Sequence, residues 1–112
     1  MADETLDETL ATLVGQAKDK CQITWEDEAT DRRFEDEIVP TAIVVLSFKI
    51  GIPGDADFDF ASPGLEHDLF LNYCYYAWHN ATDDFEQNYA NSLAQARRIW
   101  EVKGAQEEEA TA

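Results

Sequence analysis

The sequence predicts an all-α protein, a small bundle of about four helices followed by a flexible acidic C-terminal tail. Three observations predict it. Apolar residues recur at three- and four-residue steps in separate stretches of the chain. Gly51, Pro53, Gly54, Pro63 and Gly64 cluster between two of those stretches and read as a loop. The one β-branched run, Ala42-Ile-Val-Val-Leu-Ser-Phe48, has no second strand-like segment to pair with, so it reads as helix. A chain of 112 residues makes one domain, able to bury roughly two-thirds of its unfolded surface. The expected division is a helical domain over 1–104 and a disordered acidic tail over 105–112, where large apolar residues are lacking.

The first helix is expected from about Asp3, with Leu6, Leu10, Leu13, Val14, Ala17 and Cys21 on one face. Its acidic first turn and the pair Lys18 and Lys20 near its end suit the helix dipole. Ile23 and Trp25 are expected to pin the following link to the core. Thr30-Asp31 looks like a cap and first helical position, after which Phe34, Ile38, Thr41/Ala42, Val45 and Phe48 recur at helical spacing as far as about Ile50. Pro40 falls inside this second helix and is expected to bend it.

The third helix, Gly64 to His79, is aromatic-dense and apolar nearly all round. Leu69, Tyr73 and Tyr76 form one stripe; Phe70, Cys74, Ala77 and Trp78 form another beside it. Two apolar faces imply two packing partners. Either this is the central helix of the bundle, or one face meets a neighbouring subunit, which makes Tyr73, Tyr76 and Trp78 candidate interface residues. The fourth helix starts at Thr82 with Asp83, Asp84 and Glu86 in its first turn. It carries the stripe Phe85, Tyr89, Leu93, Ala96 and Trp100 and is expected to end at Lys103-Gly104.

Charge narrows the function. The chain has 24 acidic against 8 basic residues, a formal charge of −16 spread along its length. Phosphate neutralisation needs clustered Lys and Arg, so sequence-specific nucleic-acid binding is not expected. Acidity of this kind suits solubility, a passage that DNA must traverse without sticking, or mimicry of DNA toward a basic partner. Cys21 and Cys74 have no metal-ligand spacing and are expected to be buried free thiols. No signal-peptide pattern or membrane-length apolar run is present, so an intracellular chain with no membrane partner is expected.

The sharpest chemical motif lies in the loop. Asp55, Asp57, Asp59 and Glu66 stand at the carboxylate spacing of an EF-hand calcium loop, but Phe60 occupies the sixth position, where the sharp turn calls for Gly. The other reading is a solvated acidic loop with Phe58 and Phe60 turned inward. His67 and His79 lie twelve residues apart, and neither has a second ligand of the His or Cys type three or four residues on. No nucleophile elbow, P-loop or dinucleotide fingerprint occurs. No metal, no cofactor and no catalytic activity are therefore expected.

The order of segments resembles the head-tail connector family of tailed bacteriophages. The resemblance covers about residues 5–103 and is carried by Ile23-Thr-Trp-Glu-Asp-Glu-Ala-Thr-Asp31, Gly51-Ile-Pro53, Leu69-Phe-Leu-Asn-Tyr-Cys-Tyr-Tyr76, Asp84-Phe-Glu-Gln-Asn-Tyr-Ala90 and Arg97-Arg98. It lies in pattern and order, not in a catalytic signature, and is strongest from Asn72 to Tyr89. It implies a small helical adaptor, made in the host cytoplasm and placed in the virion. Copies would form a ring beneath the portal and bridge it to a downstream connector or tail protein. Under that resemblance portal or neighbour contacts fall on the third helix and from Glu101 onward, so Glu101 joins the candidate interface residues. The alternative from another class is a small acidic regulator or DNA mimic that binds a basic partner.

Overall fold

A computed structural model describes the backbone of residues 2–53 and 58–111 and the side chains of 8–53 and 58–104. Among the described residues every regular element is helical. α1 spans Ala2–Lys20, and α2, Glu28–Arg32, passes without interruption into a π-helical turn, Arg33–Ile38, and then α3, Val39–Ile50. α4 is Leu65–Trp78, α5 is Thr82–Asn88 and α6 is Ala90–Thr111.

The helix ends follow local chemistry. α2 begins earlier than the Thr30 signal suggests, because Asp27 is the cap and its carboxylate accepts from both the backbone N–H (3.0 Å) and the hydroxyl (2.9 Å) of Thr30. α1, α3 and α4 each stop at a residue with a positive φ, namely Gln22 (60°), Gly51 (86°) and Asn80 (57°). In each case the next residue donates back into the last turn: Ile23 to Lys18, Ile52 to Ser47 and Ala81 to Tyr76. Gly51 and Asn80 are the stops that composition advertises, because Gly and Asn enter the left-handed conformation readily and Gln rarely does.

Pro40 does not kink an α-helix in mid-course. It sits at the start of α3, just past the π turn, where Val39 donates to the carbonyl of Phe34, five residues back. A proline supplies no N–H and crowds the carbonyl four residues earlier, and the wider turn absorbs both demands. The extra residue in that turn rotates everything after it by about 100°. Ala42 is buried as expected, but beyond it the stripe moves from Val45 and Phe48 round to Leu46 and Ile50, both fully buried.

α4 is the central helix. It packs against α1, the π turn, α3, α5 and α6, and its two apolar faces are covered from within the chain. Leu69, Phe70, Tyr73 and Cys74 join Leu13, Ala17, Phe34, Leu46 and Phe85 in one core. Phe58 and Phe60 turn inward as a pair (5.0 Å, edge-on), Phe58 against Trp100 (5.4 Å) and Phe60 near Phe70 (5.9 Å), while Asp59 stays exposed.

Two features of the fourth predicted helix change. It breaks at Tyr89, where φ is −112° and ψ is 16°, dividing it into α5 and α6. At the break Asn88 turns its amide to the Tyr76 hydroxyl (3.2 Å) and Tyr89 stacks on Phe85 (4.9 Å), while Tyr89 N–H still donates to Phe85 and its carbonyl accepts from Leu93 (2.9 Å each). At the other end the helix does not stop at Gly104. Its backbone stays helical to Thr111, since the Ala, Gln and Glu residues that follow are strong helix formers with no proline among them. A disordered tail from 105 is therefore not what the backbone adopts.

The molecule measures 52 × 39 × 19 Å. Helices pack about 8–10 Å apart, so a 19 Å slab holds two layers and no third. Its radius of gyration, 15.0 Å, exceeds the roughly 13 Å of a compact domain this long. Among the described residues no helix covers the outer face of α3, where Val44 and Phe48 are exposed.

Candidate functional site

That bare face carries the largest apolar exposure among the described residues. Phe48 is 86% exposed and Val44, one turn before it, 68%. A groove of about 460 Å³, walled by Val45, Tyr73, Thr82 and Glu86, lies on one side of Phe48. A second, of about 470 Å³, is formed with Leu93, Ala94 and Arg97 of α6. Phe48 and Lys49 belong to both, so the ring stands as a knob between two hollows. The π turn is the cause: without its added residue Phe48 would face the core, where the simple periodicity puts it. A proline within a long helical pattern is the one sequence signal for such a change of register.

Charge rims the ridge. Lys49 is paired with Glu86 across the first groove, and Arg97 with Glu101 (3.5 Å) beside the second. Asp83 also lines the first groove and, among the described residues, has no ion-pair partner. Both existing pairs are substantially exposed, so each contributes at most about 1 kcal/mol and exchanges readily.

The candidate interface residues do not form one surface. Tyr73 is only 7% exposed and meets Phe85 edge-on (5.2 Å). Burial, Cys74 and Glu86 raise its phenol above the ordinary range. Trp78 lies on Phe34 (5.2 Å) with the Arg33 guanidinium over its ring (4.8 Å). Tyr76 is half-buried against Phe85 and Tyr89 and accepts from Asn88. Glu101, exposed on α6, adjoins the ridge through Arg97, and the buried Tyr73 reaches it as a wall of the first groove. The aromatic density of α4 marks a helix surrounded by its own chain.

The remaining candidates do not assemble into chemistry. Asp55 and Asp57 lie outside the described residues, and the Asp59 carboxylate accepts the N–H of Ala61 (2.8 Å). The Phe60 carbonyl faces His67 Nδ1 at 2.7 Å. Among the described residues no group of three or more His, Cys, Asp or Glu is placed to hold a metal ion. Cys21 is half-buried and Cys74 buried, and both are free. Burial pushes the Cys21 thiol up to about 11 and Cys74 upward as well, so both stay protonated and poorly nucleophilic at neutral pH. Among the described residues no helix is long and apolar enough to cross a membrane.

Fold and surface together define an acidic, all-helical slab with one bare apolar ridge. No family model, curated protein or solved structure matches the chain.

Proposed function

We propose that this chain is a structural adaptor of the phage head-tail junction. Copies dock as a ring under the portal of the DNA-filled head and join it to the tail or to the next connector. The chain acts by protein–protein contact, without catalysis or a cofactor, and resides in the virion after synthesis in the host cytoplasm. The observation that carries this reading is the Val44–Phe48 ridge, the most exposed apolar pair among the described residues, since apolar patches on protein surfaces mark contact sites. The segment order that resembles head-tail connectors supports the junction as the place of contact. A charge of −16 suits a protein that lets DNA pass without gripping it.

Complementation tests the proposal. Phage lacking this chain should accumulate full heads and separate tails, and purified protein added to that lysate should restore joined, infectious particles. Joined particles formed equally well without it would overturn the reading.

A further inference from the structure

We infer that the α3 ridge receives a cationic amphipathic helix from another protein, straddling Phe48 with an apolar side chain in each flanking groove. The inference deepens the adaptor reading by giving the chemistry of the partner at this face, and it rests on that reading only for the claim that the face is used.

Shape argues for a helix. Phe48 projects between hollows of about 460 and 470 Å³. Side chains three, four or seven residues apart on a helix fall on either side of such a knob, as in helix-in-groove recognition.

Area argues against a second copy of this chain as the occupant. An aromatic side chain presents about 150–250 Å², so Phe48 and Val44 together offer roughly 300 Å². A stable dimer needs about 800 Å² from each partner. A single helix needs only a few anchors at the centre of its contact.

Charge complementarity selects a cationic helix. At the ridge Lys49 and Arg97 are already paired with Glu86 and Glu101, so the lining charge left for a cationic partner is Asp83, which has no ion pair among the described residues. The field of the whole chain steers in the same sense.

The test uses an 18-residue peptide of leucine and lysine in an amphipathic helical pattern, with a leucine–glutamate peptide of the same pattern as control. Titration calorimetry on the full chain should give one leucine–lysine peptide per chain, weakening as salt rises, and no binding of the glutamate peptide. Phe48→Asp should weaken binding at least tenfold although it adds negative charge. Ile99→Asp, which changes an exposed apolar residue elsewhere on α6, should leave it within twofold. Both positions are exposed, and a thermal melt of each variant verifies folding. Unchanged or tighter binding by Phe48→Asp would show that net charge alone draws the peptide and would overturn the inference. So would concentration-dependent dimerisation of the unmodified chain that Phe48→Asp abolishes, since the ridge would then belong to a second copy. Head-binding by the unmodified chain separates the two readings: retention on heads without peptide binding sinks this inference alone, and peptide binding without retention sinks the adaptor alone.

Discussion

Removing the Arg33 side chain should cost about 2–3 kcal/mol although it carries charge and is only partly buried. From the π turn its Nη2 reaches the carbonyls of Ala77 and Trp78 (3.3 Å each) and the side-chain oxygen of Asn80 (3.1 Å), while the guanidinium lies over Trp78. It thus closes the C-terminus of the central helix, where carbonyls lack partners inside the helix. One nitrogen carries two N–H groups, so at most two of the three acceptors bind at full strength. A hydrogen bond to a charged donor contributes about 1.5–3 kcal/mol, a cation at a helix C-terminus about 0.3–1 and the aromatic contact about 0.5–1 where partly exposed. Because the three contacts are long and part-exposed, together they count as about one such bond, and values near the low end of each contribution then give the stated loss. A domain of this size loses roughly 4 °C of Tm per kcal/mol, so Arg33→Ala should melt about 8–12 °C below the parent by circular dichroism. Arg33→Lys should recover about half, because an ammonium keeps the dipole interaction but has no planar face for Trp78. A Tm for Arg33→Ala within 2 °C of the parent, or a lysine variant that loses nothing, would refute the role given to this contact.

Other perturbations separate core from ridge. Phe70→Ala empties a fully buried site and should cost about 3–5 kcal/mol in urea unfolding; a loss under 1 kcal/mol would mean that the aromatic core is not packed as described. Stability should fall as pH rises from 9 toward 11, because the unfolded Cys21 thiol ionises from about 9.0 while the folded one holds its proton to about 11. The stability of the folded thiol is present below the lower value and lost through the upper one. Cys21→Ala should make that decline shallower, and identical slopes would remove Cys21 as its source. Millimolar calcium should leave Tm unchanged, because Phe60, at the position an EF-hand gives to glycine, is buried beside Phe70. A rise of several degrees would restore a calcium loop over Asp55, Asp57, Asp59 and Glu66.

Much of the fold was legible because periodicity and capping agree locally. The helical class, the inward Phe58 and Phe60, and the stripe Phe85, Tyr89, Leu93, Ala96 and Trp100 all follow from spacing. What spacing could not carry is a change of period. The π turn before Pro40 adds one residue, and that displacement exchanges Phe48 for Ile50 at the core and creates the ridge. The all-round apolar α4 was ambiguous for a different reason. A helix surrounded by its own chain and one shared with a neighbour have the same composition, and only long-range packing tells them apart. Tyr73, Tyr76 and Trp78 pack within the chain, and the exposed apolar face lies on α3.

The adaptor account is tested most directly by mixing the purified protein with DNA-filled, tailless heads of its own phage and measuring what co-sediments. The account predicts saturable retention of about one ring's worth per head, lost when the portal is absent and sharply reduced by Phe48→Asp. No retention at concentrations well above micromolar would contradict it and favour the small acidic regulator that binds a basic partner.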